Sequence, residues 1–229
     1  INAYSVKEYL GDVSYPRKGL DTGENDVFIR LWYEVSIVKS CFDNSTHETK
    51  WYPYNKGGEF RRWYGNREYL INWENNGSDI KERLHWTSKK PTIRNADFYF
   101  REGFAWTTVS SSGFSARYSP EGSLFDNGGC TLFTDQNLSL LGSFLNTRVM
   151  GRYLKFLAPT LNFQPGDIGK VLFPKKCFEL KVRTYSLISI SKEDWDLYET
   201  AWDFTEFSLL KSEYGQRGLR TIYANTRPR

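Results

Sequence analysis

Apolar positions in this chain fall into short runs of β-branched and aromatic residues, separated by Gly-, Pro- and Asn-rich punctuation. Branched and aromatic side chains pack well on a pleated surface, so such runs predict strands. Val27–Val38 (VFIRLWYEVSIV) predicts a buried strand after a polar, turn-rich opening over residues 1–26, which Pro16, Gly19 and Gly23 punctuate. Residues 40–50 read as a polar connection. Phe98–Val109 has the same β character and leads into a small turn at Ser110-Ser111-Ser112-Gly113. Phe114–Phe133 divides into two or three strands at Pro120, Gly122 and the Asn127-Gly128-Gly129 turn. Ile168–Phe173, after a turn at Gly166, and Lys181–Ile190 are the last expected strands.

Helical spacing is clearest where Leu138, Leu141, Leu145 and Val149 recur. It predicts one helix over Asn137–Leu157, stopping before Pro159. Ser78–Leu84 predicts a short helix capped by Ser78. Ser191–Trp202 predicts another, opened by a capping-box-like Ser191 and Asp194, with Trp195, Tyr198 and Trp202 on its apolar side. The expected class is α+β: twisted mixed or antiparallel sheets, a long helix and a C-terminal helical appendage. A soft boundary falls near Lys175, giving a main domain over 1–175 and a strand–helix appendage over 176–229. Lys211–Arg229 is basic and Gly/Arg-rich and reads as a partly mobile tail.

Composition narrows the picture. Aromatics at 17% of 229 residues supply enough large apolar surface for a true core. A net charge of +4 permits a nucleic-acid partner without requiring one. Cys41, Cys130 and Cys177 are odd in number, far apart and without a CxxC pair, so reduced, mostly buried thiols are expected rather than a disulfide scaffold or zinc ribbon. No secretory signal or bilayer-length apolar run is present, so a cytoplasmic protein without a membrane partner fits. The chain opens on Ile1 in mid-pattern and reads as a fragment of something longer.

The residues that carry chemistry are few. His47 and His85 are the only histidines and sit in polar surroundings, as surface residues do. GxSxG, the P-loop, GxGxxG after a strand and an Asn- or Asp-Pro-Pro-Tyr tetrapeptide are all missing. No catalytic centre, cofactor site or metal site is therefore expected in this chain. One nuclease-like pattern exists: Asp167, Glu179 and Lys181, on adjacent strands, could bind Mg²⁺ and activate water. That spacing arises often by chance; an ordinary turn and strand explain it equally.

The stretch Lys50–Trp73, KWYPYNKGGEFRRWYGNREYLINW, is more unusual because basic and aromatic residues interleave. Lys50, Lys56, Arg61, Arg62 and Arg67 can meet phosphates. Trp51, Tyr54, Trp63 and Tyr64 can stack on or wedge beside bases. Asn55 and Asn66 can pair with adenine and an arginine with guanine. The competing explanation is an aromatic core with solvated charges. Lys18–Arg30, KGLDTGENDVFIR, gathers Thr22, Asn25 and Arg30 at the mouth of a strand, where small polar groups can bond a DNA backbone or base edge. A structured turn explains that cluster as well.

At these motifs the chain resembles a known family. GLDTGENDVFIRLWYEV resembles the start of target-recognition domains in adenine-specific DNA methyltransferases. KWYPYNKGGEFRRWYGNREYLINWENNGSDIK is similar to the PglX family, the methyltransferases of BREX phage-defence systems. TTVSSSGFSARYSPEGSLFD, LNFQPGDIGKVLFP and ISKEDWDLYETAWDF match the same family in order, so the resemblance runs from Lys18 to Phe204. It implies a C-terminal specificity region that recognises double-stranded DNA for N6-adenine methylation. The S-adenosylmethionine site and the catalytic domain would lie upstream in the same protein and be this region's partner. This chain alone would not methylate; it would position a duplex for base flipping. The resemblance places Lys18, Thr22, Asn25, Arg30, Lys50, Lys56, Arg61, Arg62, Trp63, Tyr64, Asn66, Ser111, Ser112 and Arg117 on one DNA-facing surface. A different class is a protein-interaction module that docks the methyltransferase domain or a phage-encoded DNA mimic.

Overall fold

The computed structural model describes residues 8–42, 49–83, 90–207 and 210. Eight short strands in this span make two four-stranded sheets, and helices accompany them, so the fold is α+β. The first sheet is antiparallel, in the order β1 (Tyr15–Arg17), β8 (Thr131–Phe133), β5 (Gly103–Trp106) and β6 (Ala116–Ser119). β5 and β8 are buried along their whole length, as central strands covered on both faces must be. Phe104 of β5 sits opposite Tyr118 on one side and Leu132 on the other.

The second sheet is mixed, in the order β2 (Ile29–Leu31), β4 (Tyr69–Asn72), β3 (Trp51–Asn55) and β7 (Leu124–Phe125), with β3 and β7 parallel. Pro53 is tolerated inside β3 for a local reason. The carbonyls of Trp51 and Asn55 accept N–H bonds from Cys41 and Asp126, on the side away from β4. By strand alternation the nitrogen of Pro53 points to that side too, where the β7 ladder reaches only Tyr54 and Asn55. The chain passes from β6 in the first sheet to β7 in the second and back to β8, which ties the sheets together.

Two apolar clusters result. One lies between the first sheet and the helices and holds Phe104, Trp106, Leu132, Leu141, Met150, Leu154 and Phe173. Ile188, Trp195 and Ala201, from beyond residue 175, belong to it. The other lies on the mixed sheet and holds Leu20, Phe28, Tyr52, Tyr54, Ile71, Trp73 and Phe125.

Several expected elements differ. The strand over Val27–Val38 shrinks to β2, preceded by the single turn α1 (Asn25–Phe28) and followed by 3₁₀ turns at Trp32–Glu34 and Ile37–Lys39. The Glu34 carboxylate accepts the Leu31 N–H at 2.8 Å and curls the chain off the sheet, leaving Val38 90% exposed. Phe98–Val109 yields only β5 after a 3₁₀ turn at Ala96–Phe98. Phe114–Phe133 yields three strands, as expected.

The long helix is two: α3 (Leu138–Leu145) and α4 (Arg148–Leu157). Asn146 causes the break, because its side chain is bonded to both the N–H and the C=O of Ala116 in β6, at 3.1 and 2.9 Å. Thr147 then caps α4 by accepting from the Met150 N–H at 3.1 Å. The restart shifts the apolar phase: Met150 and Leu154 point inward, and Val149 is exposed.

Ile168–Phe173 is not a strand. Pro165 opens a helical turn, α5 (Pro165–Gly169), instead. Lys181–Ile190 is not a strand either, and Ser191 does not start a helix. Both fall on or beside α6 (Thr184–Asp196), where Thr184, Ile188 and Trp195 recur at helical spacing and are the buried positions. The right-handed part of α2 (Glu74–Glu82) begins at Ser78, as expected, after left-handed Asn75, Asn76 and Gly77, but the Ser78 hydroxyl contacts Asp79 instead of capping. Cys41 and Cys130 are buried free thiols and Cys177 is a partly buried one. Leu84, His47, His85 and the tail Lys211–Arg229 lie outside the described residues. Among the described residues no helix is long and apolar enough to cross a membrane.

Candidate nucleic-acid interface

The interleaved stretch forms β3, a loop over 56–68 and β4. Buried polar side chains fix the loop. Gly57 and Gly58 have φ of +96° and +119°, in the left-handed region that favours glycine. Asn66 donates to the Glu59 carbonyl at 2.8 Å, and Thr107 donates to the Gly58 carbonyl at 2.8 Å. Arg117, on β6, supports Thr107 from behind with an Nη2 bond of 3.2 Å. Trp63 pairs with β6 through its own N–H to Ala116 and its carbonyl to Tyr118. Tyr64 completes the anchor inside the first core.

This anchoring separates the sequence-predicted residues. Tyr64, Asn66, Arg117 and Thr22 are 5%, 6%, 3% and 1% exposed, so their side chains hold the fold together rather than face a ligand. Burial lowers the pKa of Arg117 to about 10, opposed by nearby Glu68, and the group stays charged at neutral pH. Its Nη1, like Nε of buried Arg67, has no hydrogen-bond partner among the described residues.

Other predicted residues are engaged locally, through the side chain or, for Lys18, through the backbone carbonyl. Lys50 pairs with Glu74 at 3.2 Å, and Lys56 lies over the Tyr69 ring at 4.8 Å. Arg61 pairs with Asp194 at 3.6 Å and lies over Trp195 at 4.8 Å. Arg30 donates to the carbonyls of Asp26 and Ile29, and Asn25 accepts from Thr22 at 2.7 Å. The Lys18 carbonyl accepts from Asn95.

Arg62, Ser111 and Ser112 do come together, around two adjoining cavities that share Phe60 and Ser112. One, of about 450 Å³, is lined by Phe60, Arg62, Ser112, Phe114, Arg148, Arg152, Lys155 and Phe163, among others. The next, of about 650 Å³, runs between Gly58–Phe60 and Val109–Ser112. Together they make a trough lined by cations from the 56–68 loop and α4, by the rings of Phe60, Phe114 and Phe163, and by Ser110–Ser112.

Sequence reasoning missed Arg148, Arg152 and Lys155. They fall at i, i+4 and i+7 on α4 and so share one stripe of it. Reading Asn137–Leu157 as one unbroken helix hid that stripe; the spacing within RVMGRYLKFL shows it once the break at Asn146 is known. None of these three, nor Arg62, makes an ion pair among the described residues; Arg62 only lies over Phe60, at 5.4 Å. Like charges at i,i+4 repel by about 0.2–0.5 kcal/mol, and a cation at a helix N-terminus opposes the macrodipole. Arg148 and Arg152, in the first half of α4, therefore cost some stability unless an anion lies against them, whereas Lys155 sits in the last turn, where the dipole favours a cation.

The nuclease-like triad is not assembled as expected. Asp167 is in α5, and Glu179 and Lys181 belong to a 3₁₀ segment and the coil after it, so the adjacent strands are missing. Among the described residues no group of three His, Cys, Asp or Glu could hold a metal ion.

No family model matches the chain. Curated relatives do, and those compared are adenine-specific methyltransferases. The adenine-specific methyltransferase PglX of Lacticaseibacillus casei (strain Zhang) is 41% identical over 212 residues, 88% of this chain and 18% of that protein. The adenine-specific methyltransferase BrxX of Escherichia coli O9:H4 (strain HS) is 43% identical over 201 residues, 85% of this chain and 16% of that protein. The chain is thus homologous to one region of the PglX and BrxX methyltransferases and spans less than a fifth of their length.

Proposed function

We propose that this chain is the double-stranded-DNA recognition region of a BREX-type N6-adenine DNA methyltransferase, acting in the cytoplasm. It positions a target site so that the catalytic domain of the same protein can flip one adenine. The observation that carries this is the trough, whose lining presents Arg62, Arg148, Arg152 and Lys155 without carboxylate partners among the described residues. Spaced cations of this kind displace counterions from a phosphate backbone. Serines 111 and 112 add donors to that lining, as backbone-positioning surfaces do. In this proposal S-adenosylmethionine is held by the catalytic domain of the same protein, outside this region.

Binding to duplex DNA across a salt series tests the proposal. Affinity should fall steeply as salt rises, and replacing Arg148 and Arg152 with Ala should lower the log–log slope by about 1 for each phosphate that is no longer neutralised. Absence of binding at low salt, or an unchanged slope in the double variant, would sink it.

A second function has one observation in its favour: Phe156 is 86% and Val149 52% exposed on α4, on the flank of the basic stripe. Exposed apolar residues of this kind suit a protein surface, such as the methyltransferase domain or an acidic DNA mimic. Phe156→Ser would then abolish partner binding and leave DNA affinity intact.

A further inference from the structure

The trough contains one charge of the wrong sign for a surface that only tracks phosphates. Glu59 lines the larger cavity, and it is the only carboxylate lining either cavity among the described residues. Two arginines follow it after Phe60, yet neither pairs with it. Arg61 turns to Asp194, and Arg62 lies over Phe60. The carboxylate of Glu59 has no hydrogen-bond or ion-pair partner among the described residues.

Its backbone is held unusually firmly. Thr107 and Asn66 bond the carbonyls of Gly58 and Glu59. A side chain at Gly58 would bring its Cβ within 2.8 Å of Asn66 Nδ2, so that position admits only glycine without distortion. Glu59 is exposed, and this support sets its position before a ligand arrives, as a recognition group requires.

We propose that Glu59 reads a base: its carboxylate accepts a hydrogen bond from an exocyclic amino group, cytosine N4 or adenine N6, of a duplex lying in the trough. This rests on the DNA-recognition function proposed above. The chemistry restricts the partner sharply. Phosphates and the N7, O6 and O4 atoms of the major groove are all acceptors and reject a carboxylate; exocyclic amines are the donors there. Guanine or thymine at the read position would leave Glu59 desolvated and unpaired, which turns a local repulsion into selectivity. The division of labour is then spatial. The α4 stripe and Arg62 hold the backbone, and Glu59, facing Ser110–Ser112 across the 650 Å³ cavity, inspects the base edge.

Selection of a randomised duplex library with the purified chain tests this. Four proteins are compared: wild type, Glu59→Gln, Glu59→Ala and the Arg148→Ala/Arg152→Ala pair. Wild type should enrich one consensus. Glu59→Ala should reduce the base preference at a single position by about tenfold or more, leaving the other positions alone; Glu59→Gln should shift a cytosine preference toward adenine, or keep an adenine preference through the N6/N7 pair. The arginine pair should reduce recovery of every sequence while keeping the consensus. An unchanged consensus in both Glu59 variants, with the arginine pair weakened, overturns the assignment of Glu59 alone. Recovery of no duplex by wild type, or full recovery by the arginine pair, overturns the DNA-recognition function and this inference with it.

Discussion

At the residue scale, the loop over 56–68 shows why an identity that suggests ligand contact so often serves position instead. Asn66 and Arg117 carry the donors that base recognition uses, but the fold spends them on the Glu59 carbonyl and on Thr107. Gly58 is the complementary device: its φ of +119° and its closeness to Asn66 leave no room for a methyl group. Gly58→Ala should therefore destabilise the protein by about 1–3 kcal/mol, the usual cost of backbone strain at a non-glycine residue. Urea denaturation would show it as a lower midpoint with an unchanged m-value. A midpoint equal to wild type would mean that the loop relaxes freely.

At the element scale, the break between α3 and α4 decides where the basic stripe points. Asn146 accepts from the N–H of Ala116, which is otherwise unpaired in a buried strand, and adds a second donor to the carbonyl that the Trp63 N–H already reaches. Asn146→Ala should cost about 2–3 kcal/mol, since it leaves the buried Ala116 N–H unpaired and removes one of the two donors to its carbonyl. Thr147→Ala, which removes a cap, should cost about 1 kcal/mol. Paired urea titrations of the two variants would check the order; equal losses of stability would contradict it. The same break explains what was legible in the chain. The α+β class, the three strands of Phe114–Phe133 and the apolar helical region were readable from period and punctuation; β1, inside the expected opening loop, and β3 and β4, inside the interleaved stretch, were not. The break was not, because it depends on a bond from Asn146 to a strand thirty residues away in sequence. Arg148, Arg152 and Lys155 were overlooked for that reason, while Arg62, Ser111 and Ser112 were legible because their placement depends on local turns. Lys181–Ile190 misled for a related reason: in a short apolar run, periods of two and of 3.6 cannot be told apart until burial selects Thr184 and Ile188.

At the scale of the whole molecule, the segment after residue 175 is part of the scaffold that supports the trough. Trp195 is buried in the first core, carries Arg61 on its ring at 4.8 Å and approaches Gly65 so closely that a Cβ there would sit 3.0 Å from it. Trp202 receives Arg67 at 4.8 Å and packs on Phe42 at 5.1 Å, and Trp32 donates its indole N–H to the Thr200 carbonyl. The C-terminal helix and the turn after it thus brace the 56–68 loop and reach the mixed sheet as well. Trp195→Ala should cost about 3–5 kcal/mol, the range for emptying a buried indole site. Because Arg61 and Gly65 lean on the same ring, the variant should also lose DNA affinity at temperatures where it is still folded. Arg61→Ala, which leaves the core intact, should cost less than about 1 kcal/mol, as exposed ion pairs do. Thermal unfolding followed by circular dichroism, run beside DNA titration for both variants, separates the two effects. A Trp195→Ala protein that binds DNA like wild type while destabilised would show that the trough is set by the sheets alone.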